Sequence, residues 1–240
     1  MLNILIPMAG PVKFNEDEFQ YPKPLIEING KPMIELAIES FQSIKQEKRF
    51  IFLVNNSDCK SFYLDSVLQL LTNSECEIIK IDKPTRGAAC TALLAIEHIN
   101  NSDPLIISNG DHIIDYDLNV VIDYFQKRKV DAGTICFESV HPKWSFVRVD
   151  KDGKIVEAAE KRPLSKNAIA GFYYFRQGKD FVSGAMNTIQ KDVNVGGNYF
   201  VAPVLNELIL KDMNLEIFSI PASSYHNFYS SHMIKEYESK

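Results

Sequence analysis

The chain is short of the features that announce several common functions. It has four cysteines, Cys59, Cys76, Cys90 and Cys136, scattered with no CxxC pair. That excludes a zinc ribbon or a disulfide framework and reads as reduced thiols. There is no excess of basic charge: 26 Lys and Arg stand against 31 Asp and Glu, a formal net charge of −5. A nucleic-acid binder would carry a basic face, so no nucleic-acid partner is expected. The N-terminal apolar run is interrupted too soon for a signal peptide or a membrane span, and a cytoplasmic protein without a membrane partner is expected. Glycine is sparse where a dinucleotide site would need it. Gly10 stands alone after the first apolar run, without the Gly-x-Gly-x-x-Gly of that fingerprint. No internal repeat, low-complexity tract or linker divides the 240 residues.

What is present is a hydrophobic content of 45%, enough for a substantial core. Short apolar runs alternate with amphipathic segments in the first half. Strands are predicted at Asn3–Pro7, Arg49–Val54, Glu75–Ile81 and Pro104–Ser108. Helices are predicted at Met33–Ser43, Cys59–Leu71, Ala88–Ile99 and Leu118–Phe125. This alternation predicts a doubly wound, mainly parallel sheet that binds ligands at the carboxyl ends of its strands. The second half is richer in strands, at Ala132–Phe137, Ser145–Val149, Ile155–Ala159 and Ala168–Phe175, with an Asp152-Gly153 turn joining the middle two. Helices follow at Asp180–Gln190 and Ala202–Leu210. A last strand at Glu216–Ile220 precedes an irregular tail. One domain over 1–240 is expected, with a nucleotide-binding half at 1–130 and a substrate-binding half at 131–240.

Four segments carry candidate chemistry. The run Ile6-Pro7-Met8-Ala9-Gly10 leads from a buried strand into small residues, where backbone amides can approach an anion. Lys13 follows, and Lys23 sits between Pro22 and Pro24; the alternative is a stiff loop with solvated lysines. Asn109-Gly110-Asp111-His112 ends another apolar strand, which suits Asp111 to Mg2+, although a turn aspartate is the other reading. His112 reads as a ligand or as a satisfied turn histidine. Thr85-Arg86-Gly87-Ala88 opens a helix and permits close approach of a base, or simply packs a tight junction. Glu160-Lys161 closes the strand-rich segment. There the lysine could take a phosphate and the glutamate the group bearing it, or both could be solvated.

Together these segments resemble the nucleotide-sugar pyrophosphorylases, a nucleotidyltransferase family, from Ile4 to about Ile220. The set comprises Pro-Met-Ala-Gly with Pro-Lys-Pro-Leu, Arg86-Gly87-Ala88-Ala89, Asn109-Gly110-Asp111, His141–Val147, Glu160-Lys161 and Ala170-Gly171-Phe172-Tyr173. The resemblance implies a Rossmann-like three-layer α/β/α fold of GT-A type, with a mixed, mainly parallel central sheet. It implies a Mg2+-dependent enzyme that joins an NTP to a small phosphorylated metabolite and releases pyrophosphate. It is closest to the bacterial capsule and surface-polysaccharide branch, which also handles phosphocholine and phosphoglutamine, and that branch points to CTP as donor. By resemblance Lys13, Lys23 and Asp111 are catalytic, and Met8, Ala9, Gly10, Lys23, Arg86, Gly87 and Asp111 hold the nucleotide. Trp144, Ser145, Glu160, Lys161, Gly171 and Phe172 face the substrate, although aromatic strand residues such as Trp144 and Phe172 are more often plain core, and Asp111 and Asn227 take the metal. Three departures stand out: the loop Gly10-Pro11-Val12-Lys13-Phe14 is about one residue short with Lys13 for arginine, Asn227 replaces a carboxylate, and Asn198 replaces an acidic residue. They leave open a weakly catalytic binding or regulatory protein. A GT-A glycosyltransferase would need Asp115-Tyr116-Asp117 as a metal pair, yet Asp117 reads as a helix cap. Oligomeric state is left open, a homo-oligomer included.

Overall fold

The computed structural model describes residues 1–10 and 20–239. In β1 (Leu2–Pro7) alternate side chains divide between two layers: Leu2, Ile4 and Ile6 enter one core and Leu5 the other. That is the period-2 pattern of a strand covered on both faces. A 3-10 turn at Lys23–Leu25 leads to the small hairpin β2 (Glu27–Ile28) and β3 (Lys31–Pro32), then α1 (Met33–Gln42). Next come β4 (Lys48–Asn55), α2 (Asn56–Phe62), α3 (Leu64–Leu71) and β5 (Cys76–Ile81). They are followed by α4 (Ala88–Leu93), α5 (Ile96–Ile99), β6 (Leu105–Ser108), β7 (His112–Ile114) and α6 (Leu118–Lys127). The second half holds β8 (Ala132–Glu138), β9 (Ser145–Val149), β10 (Ile155–Glu160) and β11 (Asn167–Phe175). It continues with α7 (Gly178–Gln190), α8 (Val204–Ile209), β12 (Leu215–Ser219), β13 (Tyr225–Asn227) and α9 (Ser231–Glu238).

The main sheet runs β10-β9-β11-β6-β1-β4-β5, with β8 pairing β11 and β12. Strands β6, β1, β4 and β5 are mutually parallel, so their carboxyl ends share one edge. Strand β11 runs antiparallel to β6, β8 and β9 and carries the sheet into the second half. One face is covered by Ile34, Ile38 and Phe41 of α1 and Val121, Ile122 and Phe125 of α6. The other face is covered by Ala89 and Ala92 of α4, Phe181 of α7 and Leu205 and Leu208 of α8. This gives the three-layer α/β/α arrangement with a mixed sheet. Among the described residues no helix is long and apolar enough to cross a membrane.

Three expectations are corrected. The helix predicted over Cys59–Leu71 is two helices, because Tyr63 adopts φ 54° between them. The helix predicted over Ala88–Ile99 breaks at Ala95, whose φ of −91° and ψ of 15° leave the helical region. The tail expected to be irregular forms β13, paired antiparallel with β7, and α9. A three-residue strand is too short for hydrophobic periodicity to register, and α9 buries only Ile234.

Candidate active site

At the carboxyl edge of the parallel strands, Lys23 and Asp111 meet. The Lys23 ammonium donates to the Asp111 carboxylate, and both side chains are about one-fifth exposed (20% and 21%). Pro22 and Pro24 fix the approach of the lysine, and Pro24 is buried. Strand β6 delivers Asp111 from the other side. The main-chain carbonyl of Asp111 also accepts the Phe228 N–H at 2.8 Å, and Asn227 pairs with His112 in the β13–β7 ladder. Asp111 and Asn227 are thereby brought to one place. The Asn227 side-chain oxygen accepts the Tyr229 N–H at 3.0 Å.

A carboxylate and an amide oxygen are hard donors, and the pair fits a Mg2+ ion that takes its remaining ligands from phosphates and water. Among the described residues no three His, Cys, Asp or Glu side chains converge as a self-sufficient metal group.

His112 is buried (1% exposed), with its Nε2 3.1 Å from the Ser108 hydroxyl and its ring 5.5 Å from that of Tyr225. Burial pushes its pKa down to about 4, against the weaker pull of Asp111. It is a neutral imidazole inside the wall, at the first position of β7 and not in the turn, and its Nδ1 has no hydrogen-bond partner among the described residues. Gly171, with φ +64°, lies directly on this wall. A Cβ there would meet Asn109 Nδ2 at 2.7 Å and His112 Nδ1 at 2.9 Å, and the Gly171 carbonyl accepts the Asn109 N–H. Gly171 thus allows β11 to press against the Asp111 loop.

The substrate-side residues follow from the β9–β10 register. Ser145 lies opposite Glu160, and its hydroxyl donates to the Glu160 carboxylate. Burial raises the Glu160 pKa, opposed by the Ser145 hydrogen bond and the Lys161 charge. Lys161 adopts φ 54°, its N–H donates to the Trp144 carbonyl at 3.1 Å, and its ammonium lies 5.2 Å from the Phe200 ring centre. Trp144 packs on Tyr225 at 5.7 Å, which connects this group to His112. Phe172 departs from expectation. Its ring is stacked on Phe41 at 6.3 Å, its carbonyl accepts the Thr134 hydroxyl at 2.6 Å, and the whole residue is buried in the sheet.

Among the residues expected to hold the nucleotide, Met8 packs against Gly110, where a Cβ would come within 2.8 Å of the Met8 sulfur. Ala9 and Gly10 line a cavity of about 490 Å3 with Asn55, Asn56, Asp82 and Lys83. Arg86 is turned elsewhere: its Nε donates to the Gly197 carbonyl at 3.0 Å and its guanidinium lies over Tyr199. Gly87, at φ +102°, abuts the Tyr199 backbone, whose N–H donates to the Arg86 carbonyl and whose carbonyl accepts from Ala89. Lys13 lies outside the described residues. Asp117 is the N-cap of α6, accepting the Asn119 N–H at 2.9 Å, as its sequence position predicts.

Sequence reasoning passed over the polar ends of β4 and β5, Asn55-Asn56 and Asp82-Lys83. Their position after buried strands was the available signal. It also passed over Tyr199 and Phe200, which carry no recognisable motif.

Known proteins resemble this chain in sequence and in fold. The family described as nucleotidyl transferase matches residues 19–210. A Sulfolobus acidocaldarius protein, provisionally assigned as a mannose-1-phosphate guanyltransferase, is 26% identical over 159 residues. That match covers 65% of this chain and 43% of the relative, so the chain spans less than half of that protein's length. The crystal structure of a nucleoside-diphosphate-sugar pyrophosphorylase from Vibrio cholerae superposes with a TM-score of 0.85 at 22% identity, covering 99% of this chain and 100% of that one. An inositol-1-phosphate CTP transferase from T. maritima superposes at 0.77 and 15% identity, covering 99% and 95%.

Proposed function

The chain belongs to the nucleotidyl transferase family, and from that premise we propose that it joins an NTP to a small phosphorylated metabolite with release of pyrophosphate. The acceptor is a sugar 1-phosphate or a related phosphate ester such as phosphocholine or phosphoglutamine. The product is an activated precursor for capsule or another surface polysaccharide, made in the cytoplasm where NTPs are supplied. The observation that carries this reading is the meeting of Lys23 and Asp111 beside Asn227 at the carboxyl edge of the sheet.

In the reaction an acceptor phosphate oxygen attacks the α-phosphorus of the NTP. A new P–O bond forms, the bond to the β-phosphate oxygen breaks, and pyrophosphate leaves. No side chain needs to become covalently attached, so the protein contributes alignment and charge. Lys23 neutralises charge on the α-phosphate. Lys161 holds the acceptor phosphate, and Glu160 accepts hydrogen bonds from the group attached to it. Lys13 is assigned to the departing pyrophosphate on sequence position alone. Asp111 and Asn227 would hold Mg2+, which when bound offsets repulsion between the two anions.

The test is pyrophosphate release with Mg2+ across CTP, dTTP, UTP, ATP and GTP, each paired with glucose 1-phosphate, mannose 1-phosphate, phosphocholine and phosphoglutamine. Release with at least one pair is expected, and chelation by EDTA should abolish it. Nucleotide binding without release across the panel would favour a binding or regulatory protein. The short loop with Pro11, which lacks an amide donor, lends that reading its support.

A further inference from the structure

The cavity beside Gly10 is lined mainly by polar and charged residues from the ends of β4 and β5 and the start of α2. Of the described residues lining it, only Asp82 is acidic, and two lysines, Lys60 and Lys83, share its walls. We propose that this cavity selects guanine and that Asp82 is the residue that determines the choice; the inference rests on the nucleotidyl-transfer reading of the adjoining site.

The geometry starts with Asn56, whose Nδ2 donates to Asp82 Oδ1 at 2.7 Å. This holds the carboxylate at the end of β5 against the start of α2. A carboxylate offers only acceptors, about four lone-pair sites on two oxygens. The Asn56 bond uses one of them, and Oδ2 makes no other hydrogen bond among the described residues. Two adjacent acceptor oxygens are best matched by two adjacent N–H donors on a planar edge.

Guanine alone among the common bases presents such a pair, at N1–H and the 2-amino group. Beside them it carries the O6 acceptor, which the ammonium groups of Lys60 and Lys83 suit. Cytosine and adenine each place a ring-nitrogen lone pair next to their amino group, where it would face the second carboxylate oxygen. Uracil and thymine flank one N–H with two carbonyls, both repelled by the carboxylate. The same acidic group therefore attracts guanine and rejects the others, which is discrimination by repulsion as much as by attraction. The position is consistent with the rest of the site. Ala9 and Gly10 form the part of the cavity wall that continues from β1, the strand lying between β4 and β6. A base seated by Asp82 would direct its phosphates toward Gly10 and the Lys23–Asp111 pair. This reading replaces CTP with GTP as the expected donor.

Isothermal titration of the full chain, with Mg2+ present, by GTP, ITP, XTP, CTP, UTP, dTTP and ATP tests the proposal. GTP should bind most tightly. ITP, which lacks the 2-amino donor, should bind about tenfold more weakly, the order expected for one hydrogen bond to a charged group. Asp82 is exposed, so Asp82→Asn should fold normally. It should lose about tenfold or more for GTP and gain for XTP, whose C2 carbonyl can accept from the introduced amide. Tightest binding of any other natural NTP, or an unchanged ranking in Asp82→Asn, overturns the base assignment and leaves the transferase reading standing. Binding of none of the seven removes both.

Discussion

Lys23 is held between two prolines and paired with Asp111 before any phosphate arrives. Its charge is thus pre-positioned, and losing a fixed cation that acts mainly in the transition state lowers rate by ~10²–10³. Lys23→Ala should show that loss in pyrophosphate release while its melting temperature stays near that of the unchanged protein. A rate within a few-fold of wild type would remove Lys23 from the mechanism. Glu160 behaves in the opposite sense, because the fold bears a cost for it. Burial raises its pKa above 4.5, so the native state holds the proton more tightly than the unfolded chain. Stability from this group is therefore greatest at acid pH and is lost as pH rises through and above the unfolded value. Glu160→Gln should be more thermally stable than wild type at pH 7, and the gain should vanish below about pH 3, where the carboxyl is protonated in both states. The same substitution should weaken acceptor binding by about tenfold, through loss of charge-assisted hydrogen bonds. Equal stability differences at both pH values would show that burial of the charge is not the cause.

Among the elements, the segment from Asn194 to Val201 does more than connect α7 to α8. Its Tyr199 backbone clasps Arg86 and Ala89, the Tyr199 hydroxyl donates to Asp192 at 2.6 Å, and its Phe200 ring lies under the Lys161 ammonium. One loop therefore touches both Arg86–Ala89, proposed to border the nucleotide, and Lys161, proposed to hold the acceptor. A cation over an aromatic face is stabilised by about 0.5–1 kcal/mol when exposed. Phe200→Leu should raise KM for the acceptor phosphate two- to fivefold with little change in KM for the NTP, and Phe200→Trp should restore it. Equal effects of the leucine and tryptophan variants would mean that Phe200 merely fills space. This loop also marks the limit of sequence reading. Gly87 was legible as a small residue that permits close approach of a base or packs a tight junction, but not what approaches it, which is the Tyr199 backbone arriving from a distant part of the chain. The strand β11 was equally legible, yet its continuous apolar run does not say which face meets a substrate. Phe172 read as a wall residue or as plain core, and the fold turns its ring onto Phe41. Arg86 likewise matched a motif, and its guanidinium is taken by the Gly197 carbonyl and Tyr199.

For the molecule as a whole, the strand–helix alternation of the first half specified the parallel sheet, and strand-end logic located Lys23 and Asp111. What joins those two parts to Asn227 was hidden, because it lies in the tail that periodicity left without structure. A small apolar cluster of Ile26, Ile28, Met33, Phe228 and Ile234 makes the joint. Ile26 follows the Lys23 turn and its N–H donates to the Lys23 carbonyl at 3.2 Å, while Phe228 follows Asn227 and its N–H donates to the Asp111 carbonyl. The cluster thus fixes the cation, the carboxylate and the amide oxygen relative to one another, from segments near the start, middle and end of the chain. Phe228 is 1% exposed, and replacing such a ring by alanine costs about 3–5 kcal/mol. Phe228→Ala should show that loss in urea denaturation, and it should also raise the Mg2+ concentration needed for half-maximal pyrophosphate release. Phe228→Leu, which keeps most of the volume, should recover much of both. If Phe228→Ala is destabilised yet its Mg2+ dependence is unchanged, the cluster stabilises the fold without organising the site, and Asp111 must be positioned by the end of β6 alone.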